Sequence, residues 1–145
     1  MNDPDILNKF ERSLVVIGKQ MHDQQIGITD YSPVQNYVIN YIGLAGSMNV
    51  KELAKLMHVT SGAATQHLDT LEQSGAITRT INPDNRREVV VSLSPKGVEI
   101  NNRIRKAKRH MLQELCSDLS EPERKTLVEL VEKISRKYLQ TERGA

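Results

Sequence analysis

The chain has little that crosslinks and little that is bulky. It holds one cysteine, Cys116, so no intramolecular disulfide framework can form. A lone thiol suits a reducing compartment and leaves only an intersubunit bond open. Tryptophan is absent and there is one phenylalanine, so a core has to be built from aliphatic side chains. A dominant charge is lacking too. Twenty Lys and Arg face 18 Asp and Glu, a formal net charge of +2, which permits a phosphate-rich partner without demanding one. The uncharged run Tyr31 to Val50 is interrupted by Gln35, Asn36, Asn40 and Asn49, which makes it too polar for a membrane span. The first residues, MNDPDILNKFERS, are acidic and then amphipathic instead of basic and then apolar. No signal peptide is therefore expected, and the expected location is the cytoplasm. His22, His58, His67 and His110 lack an E-x-x-H spacing or a nearby cysteine, so neither a metal nor another cofactor is expected. No Ser/His/Asp arrangement, phosphate loop or carboxylate pair is legible, and the chain is not expected to be an enzyme.

What is present is helical periodicity around a short β-rich centre. A length of 145 residues with 38% hydrophobic content suffices for a single domain with a real core. Asp3 and Pro4 open a first helix with Leu7, Phe10, Leu14, Ile17 and Met21 at spacings of three and four, close to a heptad seam. Ser32, Pro33 and Gln35 open a second, whose buried face is expected at Val34, Val38, Tyr41, Ile42 and Ala45. Asn49, with Glu52 three residues on, caps a third; Leu53, Ala54 and Met57 point inward, and His58 and Val59 make a turn. Thr60 or Ser61 then caps a fourth helix that Gly75 ends. At about 100° per residue, Ala64, Leu68 and Leu71 share its inner face, with Gly62, Gln66, Asp69 and Gln73 opposite.

Two alternating runs follow, Ile77 to Ile81 and Val89 to Leu93, read as half-buried strands joined by a long polar loop, Asn82 to Glu88. Ser94 and Pro95 start a long helix carrying Val98, Ile104, Ala107, Met111, Leu115 and Leu119. Ser120, Pro122 and Glu123 start a last one with Leu127, Leu130, Val131, Ile134 and Tyr138 at helical spacing. Helix, tight turn, helix and hairpin is the order of a winged helix-turn-helix. The expected class is mainly α with a small β wing: a winged core at about residues 31–94 between terminal helices at about 3–25 and 95–141, all one domain of residues 1–145.

The central residues resemble the MarR family, bacterial winged-helix transcription factors that act as homodimers. Leu68, Asp69, Leu71, Glu72 and Gly75 form the pattern L-D-x-L-E-x-x-G, followed by Arg79. Asp84, Arg86, Leu93, Ser94 and Gly97 then match the family's wing, D-x-R followed by a leucine and a helix-opening threonine or serine, with serine here in place of the commoner threonine. The final LSEPERKTLVELVEKI is also similar to the family's last helix. The resemblance implies a dimer whose terminal helices interleave, a recognition helix at Thr60 to Ser74 and a wing tip at Asp84 to Arg87. It further implies repression of transcription, a palindromic operator in double-stranded DNA, and release by a small, often phenolic ligand.

The candidate DNA-binding residues are Thr60, Ser61, Gly62, Thr65, Gln66, Arg79, Asp84, Arg86 and Arg87. Gln66 has the paired donor and acceptor that adenine accepts, and a threonine methyl can meet a thymine methyl. Free backbone N–H groups at Ser61 to Ala63 suit a phosphate. Arg86, or next Arg87, suits a narrow minor groove or a phosphate, with Asp84 orienting Arg79 or Arg86. From Thr60 to Leu93, however, three basic residues face four acidic ones. Positive charge gathers instead at Arg103, Arg105, Lys106, Lys108 and Arg109, as a solvated helix face or a steering patch. An alternative to DNA binding thus stays open, a winged-helix protein-interaction module. Met21, Tyr31, Tyr37, Tyr41 and Met111 either line a cavity for a small-molecule effector or are plain core. Cys116 is expected to be a buried structural thiol and His67 a packing residue.

Overall fold

A computed structural model of the chain describes residues 3–142, with side chains at residues 3–138. In order, the elements are α1 (Pro4–Asp23), α2 (Pro33–Ala45), β1 (Ser47–Asn49), α3 (Val50–Met57), α4 (Ser61–Gln73), β2 (Ile77–Asn82), β3 (Asn85–Leu93), α5 (Pro95–Leu115) and α6 (Glu121–Glu142). The architecture is mainly α with a small antiparallel sheet of order β1-β3-β2. Two compact units divide after Arg109, within the sequence of α5.

In the first unit the helix starts follow from local chemistry. Asp3 Oδ1 accepts from Asp5 N at 2.9 Å with Pro4 in the first turn of α1. Ser32 and Gln35 form a reciprocal capping box on α2, and Asn49 and Glu52 form another on α3. The α3–α4 turn is made by His58, in the left-handed region at φ 53°, and Val59, whose N–H reaches Ala54 O at 3.1 Å. Thr60 caps α4 through Ala63 N.

The core of this unit is aliphatic, as the shortage of aromatics requires. Ile39 and Ile42 of α2, Leu53 of α3, Leu68 and Leu71 of α4, Val91 of β3 and Ile100 of α5 are fully or almost fully buried. Each such side chain contributes roughly 1.5–3 kcal/mol through the water it leaves. A joint of short contacts fixes α5 against the end of α4. Ser94 Oγ donates to Gly75 O and accepts from Gly97 N, while Ser94 N bonds Ala76 O at 3.1 Å. Gly97 is needed there, because a Cβ would sit 1.9 Å from the Ala76 carbonyl oxygen.

Several expectations change. The buried face of α2 is Asn36, Val38, Ile39, Asn40 and Ile42, while Val34 and Ala45 are exposed. Two asparagines turn inward because each finds a partner: Thr29 Oγ1 donates to Asn36 Oδ1 at 2.6 Å, and Asn40 Nδ2 donates to Asn101 Oδ1 at 3.2 Å. Lys108 Nζ completes the second group by donating to Asn40 Oδ1 at 3.1 Å. On α5, Ile100 and Asn101 are buried with Ile104, whereas Val98 is half exposed. Strand β1 had no counterpart in the sequence reading; it pairs with β3 from Ser47↔Ser92 to Asn49↔Val90. The long loop is replaced by a two-residue turn, Pro83-Asp84, because β3 begins at Asn85.

In the second unit Arg124 Nε donates to Cys116 O at 3.0 Å, tying α6 to the chain that precedes it. Glu123 accepts from Ser120 N and from Ser120 Oγ, both at 2.8 Å, at the start of α6. Cys116 is half-buried and not part of a closed core. The apolar residues Leu127, Leu130, Val131, Ile134 and Tyr138 are all exposed.

Candidate nucleic-acid interface

α4 presents one closed and one open face. Ala64, Leu68 and Leu71 are buried, while Ser61, Gly62, Gln66, Asp69 and Gln73 are exposed, as the 100° periodicity predicts. The Gln66 amide and the Ser61 hydroxyl make no hydrogen bond among the described residues, so their donors and acceptors are open to a partner. Thr65 is half-buried and donates from Oγ1 to Ser61 O at 2.8 Å, leaving its methyl and its lone pairs. Thr60 is spent on its own helix, since its Oγ1 takes Ala63 N at 3.2 Å. The free N–H groups at the start of α4 are therefore those of Ser61 and Gly62, one fewer than the sequence suggested.

The hairpin is shaped by an irregularity. Ile81 pairs with Val89, but the next residue, Asn82, pairs with Asn85. Arg86, Arg87 and Glu88 consequently have no partner on β2 and form a three-residue bulge beside the turn. Asn82 Oδ1 accepts from Asp84 N at 2.9 Å and Asn85 Oδ1 accepts from Arg87 N at 3.2 Å, two side-chain turns that shape the bulge. Arg86 and Arg87 are exposed on it, and neither forms an ion pair among the described residues.

Arg79 behaves differently from the other arginines. Its side chain is only 20% exposed, with Nη2 2.6 Å from Asp69 Oδ1 and Nε 3.3 Å from Glu72 Oε2. The Nε is buried and lacks a well-aligned hydrogen bond. Arg79 thus ties β2 to α4 and neutralises the two acids of the exposed α4 surface. The expected Asp84 partnership is absent: Asp84 pairs with neither Arg79 nor Arg86 among the described residues. It sits in the turn, where its backbone N–H, not its carboxylate, is engaged.

An open cleft of about 940 Å³ separates α4 from the hairpin. Of the nine candidate residues it brings together Ser61, Thr65, Arg79 and Arg87; Thr60, Gly62, Gln66, Asp84 and Arg86 do not line it. Sequence reasoning missed Asn49, Lys51, Asn85 and Glu88 on the same walls. The run N-P-D-N-R-R-E carried a signal for one of them, Asn85, which with Asn82 flanks a Pro-Asp turn. The five effector candidates do not line this cleft, nor the shallower one on α1. Tyr31 Oη donates to Ser74 Oγ at 2.7 Å, and Tyr37 packs on Tyr41 at 5.3 Å between ring centres. Among the described residues no group of three or more His, Cys, Asp or Glu could hold a metal ion, and no helix is long and apolar enough to cross a membrane.

Comparison with known proteins agrees with this geometry. The MarR family model matches residues 34–89, from the first turn of α2 to the first paired residue of β3 after the bulge. The multiple antibiotic resistance protein MarR of Salmonella typhimurium is 36% identical over 106 residues, covering 72% of this chain and 74% of that protein. The crystal structure of reduced MarR from E. coli superposes with a TM-score of 0.70 at 28% identity, covering 86% of this chain and 94% of that one. A mutant E. coli MarR complexed with operator DNA superposes with a TM-score of 0.68 at 27% identity, covering 92% and 99% of the two chains. The chain belongs to the MarR family, a family of transcriptional regulators and not of enzymes.

Proposed function

We propose that this chain is a sequence-specific DNA-binding repressor that acts in the cytoplasm as a homodimer on a palindromic operator. The observation that carries the reading is the open α4 face beside a bulge with two exposed arginines that form no ion pair among the described residues, in a chain similar to a MarR solved on operator DNA. α4 supplies Ser61, Thr65 and Gln66 to base edges in the major groove. Ser61 and Gly62 N–H groups take a phosphate at the helix start, and Arg86 and Arg87 reach the backbone or the minor groove. Arg79 holds the two parts in register, and Thr60 and Asp84 shape the local backbone.

Dimerisation is supported by apolar surface left without a partner. α1 buries none of its residues, and Phe10 and Leu14 are 48% and 52% exposed. The exposed apolar residues of α6 offer a second such surface. The dimer helices are those at about 3–25 and 95–141, around the winged part at about 31–94, in one MarR-type domain. Release by a small ligand at Met21, Tyr31, Tyr37, Tyr41 and Met111 belongs to the same proposal, with Tyr37, half exposed against Tyr41, the most accessible aromatic of the set.

Selection of bound duplexes from random-sequence DNA tests it. A palindrome with half-site centres about one helical turn apart is expected. Arg86→Ala or Arg87→Ala should weaken binding across all sequences and lower the salt slope by about 1, whereas Gln66→Ala should relax preference at particular base pairs by about 1–3 kcal/mol. The balanced charge of the reading surface favours one competitor, a protein-docking module; recovery of no duplex would select it.

A further inference from the structure

Glu88 stands beside the two arginines that the proposed function gives to DNA, and its surroundings are over-determined. Its carboxylate accepts from Asn49 Nδ2 at 2.7 Å and from Asn82 Nδ2. Neither amide is free to turn over. Asn49 Oδ1 is held by Glu52 N at 2.7 Å as the cap of α3, and Asn82 Oδ1 is held by Asp84 N at 2.9 Å in the turn. Both NH2 groups are therefore committed to Glu88, which ties three places together: the start of α3, the end of β2 and the bulge of β3. The chemistry of the pairing matters as well. A carboxylate within two residues of Arg86 and Arg87 could pair with either and cancel its charge, as Asp69 and Glu72 do for Arg79. Here each carboxylate oxygen accepts from a neutral amide instead, and both guanidinium groups stay free of ion pairs among the described residues.

We propose that Glu88 is a positioning residue of the wing: by strapping the bulge to the cap of α3 through Asn49 and Asn82, it sets where Arg86 and Arg87 meet the phosphate backbone. This rests on the reading of those arginines as DNA contacts. Glu88 itself acts through them and does not touch the nucleic acid.

Glu88→Gln is the sharp test, because charge and geometry pull in opposite directions. Removing a negative charge near DNA should by itself tighten binding. Loss of the strap should weaken it, because a glutamine of the same shape must present an NH2 group to one of two NH2 donors. On a duplex that the wild type selects from random DNA, E88Q is expected to bind roughly tenfold more weakly, the loss of one hydrogen bond to a charged group. Hydrogen exchange at residues 84–87 should speed up while the melting temperature falls by only a few degrees. The double variant N82D/E88Q supplies the rescue. It keeps the wild-type net charge, and its new aspartate accepts from both the glutamine NH2 and Asp84 N, so binding is expected to return to within about twofold of wild type. Binding by E88Q as tight as wild type or tighter, or a double variant no better than the single one, would overturn the proposal. If Arg87→Ala weakens binding while E88Q does not, the strap alone fails. If the wild type selects no duplex, the proposed function fails and takes the positioning role with it, while the exchange rates still report on the strap.

Discussion

At Gly97 a single hydrogen atom decides whether α5 can dock. A Cβ there would lie 1.9 Å from a backbone oxygen and 3.3 Å from Leu93 Cβ, and the backbone cannot yield as a flexible side chain would. Gly97→Ala is expected to cost about 2–3 kcal/mol, read as a lowered urea midpoint with an unchanged slope. His58 is the converse case. It occupies the left-handed region at φ 53°, and a side chain held there costs about 1 kcal/mol. His58→Gly should stabilise the protein by somewhat less than that, raising the thermal midpoint by a few degrees. Neither effect can be read from hydropathy. Gly97 was legible only as part of a family pattern, and its reason, an approach to Ala76 across 21 residues of chain, belongs to the folded state. Arg79 is the same kind of lesson. Its ion pairs with Asp69 and Glu72 join β2 to α4, and they become visible only when the two elements are placed side by side.

Elements declare their beginnings locally and their faces less so. Asp3-Pro4, Ser32-Pro33 with Gln35, Asn49 with Glu52, and Thr60 all mark helix starts that the structure keeps, since a cap is satisfied within three residues. The same locality gives a titration prediction at α6. The Ser120 hydroxyl, and after it the Ser120 backbone N–H, hold the Glu123 carboxyl below the usual glutamate range. A lowered pKa in the folded state means that the stabilisation is fully present above the ordinary glutamate value and is lost as pH falls through the folded value. In a side-chain NMR titration the Glu123 midpoint should rise in Ser120→Ala; an unchanged midpoint would refute the cap. The ends of the hairpin were illegible for a physical reason, because Asn82, Pro83, Asp84 and Asn85 all favour turns and nothing in their order says where pairing resumes. β1 spans three residues, too few to alternate. Val38 and Ile42 of α2 are buried as their spacing predicts, but the inward turn of Asn40 is not legible locally because its partner, Asn101, lies 61 residues away.

At the scale of the whole molecule, charge and apolar surface are distributed in a way that one copy does not resolve. The reading surface is close to neutral, Arg79 is already committed to Asp69 and Glu72, and two arginines per chain remain on the bulge. So few phosphate contacts give modest affinity to a single copy and make two copies on one duplex the way to a useful one. The seam of α1 points the same way: Leu14→Lys should shift the protein toward monomer in sedimentation and weaken DNA binding in parallel, without unfolding the first unit, because Leu14 is already 52% exposed. The most direct measurement is the mass, by sedimentation or native mass spectrometry, of the complex formed on a duplex selected from random sequence. Two chains per duplex, with a palindromic footprint that loses one half-site's contacts when that half-site is scrambled, is the predicted result. One chain per duplex, or a duplex bound as well by a Gln66→Ala, Arg87→Ala variant as by the wild type, would contradict the account.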